Sequence, residues 1–411
     1  MNKENILVAI DIGTAKISVI LAEVDDLGDT HIIGFGEANS NGIEKGIITK
    51  PGELYKSIKE AVSLAEASSG FKISSAIINV GGPHLDFKNE KESLIFSTSQ
   101  KEIDENDITA LIEKVSTKVN KENYEVIHVI PKWYVLDEED KVIDPVGLIA
   151  NKLEGEFHII LNKSTNLNNI KRIVESAGIK IADFVATPIA SANAVLYDEE
   201  KEMGVAVVDI GAGTTDIVIY KDGSPHFIKS LPIGGNQITM DIAHRFKLSK
   251  LEAENLKLQC SLASTEYILE NDFIEVEIRG SEEKVQIERF EVVDTIEARL
   301  SEILEKIREQ LENSGYYQKL NAGVVLTGGV ANTGYIKDFA EKILEKDVRI
   351  GKPRNYKGFI DKLSFPQYAT SIGIILFKKN ALQKNEIESF NQPINLTEKF
   401  KSIFEKIKNM F

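Results

Sequence analysis

The chain has 411 residues, of which 42% are hydrophobic and 27% charged, with a formal net charge of −15 and a pI near 5.1. That length predicts two or three domains with sizeable cores, and the acidic average excludes broad nucleic-acid binding, which needs a basic face. The single cysteine, Cys260, excludes an intrachain disulfide and a cysteine-built zinc site, and the six scattered histidines show no metal-ligand spacing.

In chain order, the first predicted element is the β-rich run Val8-Ala9-Ile10-Asp11-Ile12-Gly13-Thr14, followed by more strand-like sequence from Ile17 to Leu21. No signal-peptide pattern precedes it, so a cytoplasmic protein is expected. An amphipathic helix is predicted over Gly52 to Ser68, with Leu54, Ile58, Ala61, Val62 and Ala65 on one face. Strand-like Ala76 to Val80 stops at Gly81-Gly82-Pro83. Residues 84–161 read as an insert, with a helix at Asp107 to Val119 and strands at Val126 to Ile130 and Phe157 to Leu161.

Nearly half the chain after the opening pattern comes a second copy, Val207-Val208-Asp209-Ile210-Gly211-Ala212-Gly213-Thr214, then Ile217 to Tyr220. Strand, tight turn and strand, twice over, predict a duplicated two-lobed architecture. A long amphipathic helix from Val293 to Leu311 stops at Gly315. A buried strand, Val324 to Thr327, opens into Gly328-Gly329-Val330 and a helix from about Thr333. The longest apolar run, Ile372 to Phe377, is far short of the roughly 20 residues that span a bilayer. Residues 379–394 show no sustained period and read as a linker.

The turns carry the chemistry. A glycine turn between strands lets backbone N–H groups approach a phosphate. At the first turn, Thr14 adds a hydroxyl donor, Lys16 adds positive charge, and Asp11 can hold magnesium through water. A lone turn of this kind is usually only a turn. Two of them, on two lobes, can clamp a polyphosphate and its magnesium from opposite sides, with Asp209, Gly211, Gly213, Thr214 and Thr215 forming the second. Gly328-Gly329 permits close contact with a bulky part of the ligand. In this order, the three elements favour nucleotide binding.

This set is similar to the nucleotide site of the actin, sugar kinase and heat-shock chaperone superfamily. The rest of the chain narrows the match. Gly42-Ile43-Glu44-Lys45-Gly46-Ile47-Ile48, His128-Val129-Ile130-Pro131-Lys132-Trp133-Tyr134, Leu231-Pro232-Ile233-Gly234-Gly235-Asn236-Gln237 and Val348-Arg349-Ile350-Gly351-Lys352-Pro353 resemble the FtsA family of bacterial division proteins. The resemblance covers about residues 5–378, plus a tail of the family's type.

It implies an α/β, actin-like fold of two RNase-H-like lobes. Subdomain IA would comprise residues 1–83 and 162–197, the inserted α+β subdomain IC 84–161, subdomain IIA 198–231 and 293–378, and subdomain IIB 232–292. A flexible linker, 379–394, and an amphipathic membrane-targeting helix, 395–411, would follow. It further implies ATP and Mg2+ in the interlobe cleft, polymerisation with other copies, and tethering of FtsZ filaments to the cytoplasmic face of the cell membrane at the division site. Other divisome proteins would bind subdomain IC. Matched motif to motif, Asp11, Gly13, Thr14, Ala15 and Lys16 form the first phosphate loop, with Asp11 and Asp209 holding magnesium through water. Gly234, Gly235 and Asn236 touch the nucleotide from the second lobe. Glu254 and Lys257 lie beside the adenosine, and Gly328, Gly329 and Val330 form its floor. Without the resemblance, Glu254 and Lys257 read as a solvated helix face. Arg299 resembles a family position near the surface that takes the FtsZ C-terminal peptide; as a bare residue it reads equally as an exposed helix arginine.

One departure bears on hydrolysis. In Ala186-Thr187-Pro188, Thr187 stands where some hydrolysing relatives carry a glutamate. A hydroxyl cannot act as a base at neutral pH, so tight binding with slow or no hydrolysis is expected.

In the tail, Leu396, Phe400, Ile403, Phe404, Ile407, Met410 and Phe411 fall within an arc of about 120° on a helix. Lys401 and Lys408 flank one side, Lys399 and Lys406 the other. Four lysines against two glutamates give this segment a net +2, leaving −17 for the rest. The pattern suits a helix lying in an anionic lipid surface, although a helix docked on the body or on a partner would share the periodicity. Two other functions compete: a pilus-assembly adaptor of the PilM type, which generally lacks the tail, and a small-molecule kinase, for which no acidic base or substrate-pocket signature is found.

Overall fold

The computed structural model describes residues 6–389 apart from 26, 97–99, 120, 140, 270–271 and 278–283, with backbone alone for 382–389. Two hairpins start two sheets of the same order. In lobe one, β1 (Ile6–Ile12) and β2 (Lys16–Val24) pair antiparallel, with Ile12 opposite Ile17, and β3 (Thr30–Asn39) extends β2. Helix α1 (Pro51–Ser69) buries the predicted stripe and leads to β4 (Ser75–Val80), parallel to β1.

The chain then leaves lobe one. Strands β5 (Leu85–Ile95), β6 (Tyr124–Leu136) and β7 (Lys152–Lys163) form an antiparallel sheet with β7 in the middle, covered by α2 (Glu105–Lys118). A capping box between Asp104 and Asp107 starts α2 two residues before the predicted position. Leu111, Val115, Leu153 and Phe157 give this unit its own core. Helix α3 (Ser164–Ser176) returns the chain to lobe one, and β8 (Lys180–Ala186) closes its sheet in the order β8-β4-β1-β2-β3.

Helix α4 (Thr187–Val195) crosses to lobe two. There β9 (Val205–Ile210), β10 (Thr215–Lys221) and β11 (Ser224–Leu231) repeat the antiparallel meander. Next come α5 (Gly235–Phe246), α6 (Lys250–Gln259), the hairpin β12 (Phe273–Glu277) and β13 (Lys284–Glu288), and the long α7 (Arg289–Asn313). Strand β14 (Val324–Thr327), helix α8 (Ile336–Leu344) and strand β15 (Val348–Ile350) complete a sheet ordered β15-β14-β9-β10-β11, the counterpart of the first.

The last described helix, α9 (Ala369–Ser389), packs with α4 between the two sheets. Ile189, Ala190, Ile372 and Ile375 are fully or almost fully buried there with Ala9, Val207 and Val218 from both sheets. This shared core joins the lobes and leaves a cleft along one side.

Two later stretches also differ from the sequence reading. After β14 the chain makes a 3-10 turn over Gly329–Asn332, and α8 starts only at Ile336. The stretch read as a linker from 379 is helical through Ser389. It emerges from the core, so apolar periodicity fades, while good helix formers such as Ala381, Leu382, Gln383 and Lys384 carry the backbone on. Residues 390–394 and the amphipathic segment 395–411 lie outside the described residues. No described helix is long and apolar enough to cross a membrane.

Candidate functional site

The interlobe cleft holds a cavity of about 720 Å3, walled by the two hairpin turns. Each turn is closed by the same bond: the Gly13 N–H donates to the Lys16 carbonyl at 3.0 Å, and the Gly211 N–H to the Thr214 carbonyl at 2.9 Å. The turns touch. A Cβ on Gly213 would lie 2.6 Å from Thr14 Oγ1, so only glycine allows this approach. Gly328 is fixed twice over, by its φ of +86° and by Asp209 Oδ1, 2.3 Å from where a Cβ would stand.

Asp11, Gly13, Thr14, Ala15 and Lys16 line one wall, and Asp209, Gly211, Gly213 and Thr214 the facing wall. Gly235, Glu254 and Lys257 join from α5 and α6, and Gly328, Gly329 and Val330 close the end. Lys257 Nζ bonds Glu254 at 2.7 Å and Thr239 Oγ1 at 3.0 Å, an ordered pair rather than a solvated face.

Three predicted contacts are placed elsewhere. Thr215 is fully buried with its hydroxyl donated to the Ile233 carbonyl at 2.9 Å, because strand alternation turns it inward from Thr214. Gly234 and Asn236 do not line the cavity. The Gly235 and Asn236 N–H groups are spent on the Gly211 and Ala212 carbonyls, so this helix start braces the second turn.

Burial dominates the electrostatics of this cavity. Burial pushes the Asp11 carboxyl up to about 6, the Ser371 hydroxyl partly offsetting it, and raises Asp209 as well. Burial pushes Asp216, on β10, up to about 7, the Ser230 hydroxyl partly offsetting it, and its buried Oδ1 receives no well-formed hydrogen bond from a described residue. Burial also lowers Lys16, which pairs with Glu37 at 2.9 Å and sits 3.2 Å from the centre of the Tyr368 ring. Three buried carboxylates, against two lysines that are each already paired with a glutamate, leave a cleft short of positive charge. A hydrated divalent cation fits that deficit.

Comparison with known proteins places this geometry. A family model described as cell division protein FtsA matches residues 206–373, and one described as an SHS2 domain inserted in FtsA matches 82–161. The cell division protein FtsA of Borreliella burgdorferi is 32% identical over 409 residues, covering 99% of this chain and 98% of that protein. The chain belongs to the FtsA family.

A PilM–PilN type IV pilus biogenesis complex superposes with a TM-score of 0.65 at 14% identity, covering 91% of this chain and 98% of that one. MreB5 of Spiroplasma citri bound to AMPPNP superposes with a TM-score of 0.56 at 14% identity, covering 94% and 99%. At those identities the likeness is one of fold, and the fold is actin-like. The pilus-adaptor alternative is thereby left with the fold alone, whereas the FtsA match runs through the sequence. As a member of the FtsA family, this chain is an actin-like cell-division protein.

Within this FtsA-family cleft, several residues escaped the sequence reading. Asp216 lies two residues past Thr214, where a strand's alternation returns a side chain to the same face. Asn79 Oδ1 accepts the Ile12 N–H at 2.7 Å, and its amide donates to Thr187 Oγ1 at 3.3 Å, tying the first turn to the start of α4. Glu37 and Tyr368 carry no local motif.

Away from the cleft, Asp25, Asp29 and His31 come together although their spacing is not that of a metal motif; Asp25 Oδ2 lies 3.0 Å from His31 Nε2, and Lys357 pairs with Asp29. Arg299 lies on α7 outside the cleft. It forks onto Asp241 at 2.5 and 3.0 Å, contacts Glu302, and lines a second, open cavity of about 390 Å3 with His244 and Arg245.

Proposed function

We propose that this FtsA-family chain binds ATP with magnesium in the interlobe cleft, polymerises with other copies, and tethers FtsZ filaments to the cytoplasmic face of the cell membrane at the division site. The observation that carries the nucleotide part is the pair of glycine turns meeting across one cavity, each with a buried aspartate beside it. Magnesium would supply the positive charge that lets a polyphosphate sit against these carboxylates. Asp11 and Asp209 orient that cation through water, the turn amides and Thr14 bind phosphate oxygens, and Val330 with Glu254 and Lys257 borders the base and sugar. The solved MreB5 with AMPPNP, sharing the fold, supports this reading. Thr187, at the start of α4 on the cavity wall, offers no base, which supports slow or absent hydrolysis.

The membrane part rests on the apolar arc and flanking lysines of residues 395–411. The FtsZ peptide is assigned to subdomain IIB and the start of α7, around Arg299, and later divisome proteins to the insert. Co-sedimentation of the full chain with anionic vesicles, with and without ATP and the FtsZ C-terminal peptide, tests the whole reading. Wild type should pellet and carry the peptide with it. Phe404→Glu should stay in the supernatant while still binding ATP; pelleting at the wild-type level would remove the membrane role.

A further inference from the structure

Helix α9 starts at the cleft, between the two sheets, and two adjacent residues of its first turn reach the two phosphate-turn aspartates. The Ser371 hydroxyl donates to Asp11 Oδ2 at 2.7 Å, and the Thr370 hydroxyl to Asp209 Oδ2 at 3.1 Å. Ser191, on α4, donates to the same Asp209 oxygen at 2.5 Å and lies 2.9 Å from Thr370 Oγ1. Ser191 and Ser371 are fully buried, and Thr370 and both aspartates are at most 9% exposed. Asp11 belongs to lobe one and Asp209 to lobe two, so one turn of one helix holds a carboxylate from each half of the molecule.

We propose that Ser371 and Thr370, with Ser191, are positioning residues that fix the separation and orientation of Asp11 and Asp209 for a shared hydrated magnesium ion. Each hydroxyl occupies Oδ2, and neither Oδ1 has a hydrogen bond from a described residue. Two buried carboxylates facing one cleft repel each other and would turn apart if unheld. Hydroxyl donors pin one oxygen of each and leave the other presented, as outer partners do for metal-ligating carboxylates elsewhere, where their loss costs about 10- to 100-fold in metal affinity. Because the clamp spans both lobes, it sets the cleft width at which a single cation can serve both aspartates. The inference rests on the ATP–magnesium reading above, and deepens it.

The test is a magnesium titration of fluorescent-ATP binding to the full-length protein, with melting temperature measured without nucleotide. Ser371→Ala and Thr370→Val should each raise the magnesium concentration for half-maximal binding about tenfold or more, while binding measured in EDTA stays at the wild-type level. Thr370→Ser, which keeps the hydroxyl, should restore the wild-type magnesium dependence. Unchanged magnesium dependence in both variants, or an equal loss with and without magnesium, would overturn the proposal and leave these hydroxyls as packing. If Ser371→Ala does not fold, the Thr370→Val and Thr370→Ser pair decides alone. Failure of wild type to bind ATP at any magnesium concentration sinks the nucleotide reading itself, an outcome distinct from the other two.

Discussion

Asp216 shows what a single buried carboxylate does to a protein's pH response. Its carboxyl is pushed up to about 7 by burial, against 3.8 for a free aspartate. Between those values the folded state holds a proton that the unfolded state has released. Its contribution to stability is therefore fully present below about pH 4 and is lost as pH rises through 7. His128 and His158, pushed down to about 4 and about 3 by burial, act in the opposite sense: they must stay neutral in the fold while the unfolded chain charges them below about pH 6.5. The wild-type curve mixes these effects, but its difference from Asp216→Asn isolates one. In denaturant titrations without nucleotide, the variant should gain roughly 2–4 kcal/mol on wild type between pH 4 and pH 8. A difference that does not change with pH would mean that Asp216 is ionised in the fold throughout. Unlike Glu37, which pairs with Lys16, Asp216 forms no ion pair with a described residue.

Between elements, α4 and α9 pack closely enough to exclude a side chain at one glycine. A Cβ on Gly373 would stand 1.8 Å from the Ala190 carbonyl oxygen, so the helices touch backbone to backbone. Gly373→Ala must pry them apart. It should cost about 1–3 kcal/mol, visible as a lower melting temperature, and should weaken ATP binding because Ser371 and Thr370 move with α9. Native-like stability in that variant would show that the helices can separate freely. The twin hairpins, α1 and α7 were legible in the sequence because each is specified by neighbours: a glycine turn between β-rich runs, or an apolar stripe at helical spacing. The partners of the turn aspartates were not. Ser371 meets Asp11 from 360 positions away, and nothing in the local pattern of α9 distinguishes a hydroxyl that bonds an aspartate from one that caps its own helix. Thr215 was misplaced for a related reason: its motif named it, but strand alternation decided which way it points.

At the scale of the molecule, the insert leaves lobe one after β4 yet leans on lobe two. Asn89, on β5, donates to the His226 carbonyl of β11 at 3.0 Å, and Phe87 packs edge-on against Phe227 at 5.5 Å. On the other side of lobe two, Arg299 joins α7 to α5 through Asp241. A charge reversal there would set a carboxylate against Asp241 and Glu302 and so test packing as much as binding. Arg299→Ala is the cleaner probe. It should lower affinity for the FtsZ C-terminal peptide at least fivefold in a fluorescence-anisotropy titration while costing about 1 kcal/mol or less in stability. Unchanged affinity would move the peptide site away from this residue.

Helix α9 has 21 residues and is therefore about 30 Å long. Its first turn grips Asp11 and Asp209, its middle is held where Phe377 meets His128 and Lys378 pairs with Asp183, and its last described residue is Ser389. It is a lever with its short arm in the cleft. A tilt of about 5° about that middle would move the cleft end by roughly 1 Å and the end at Ser389 by roughly 1.5 Å, so a small adjustment at Asp11 and Asp209 is carried, enlarged, to the opposite end of the helix.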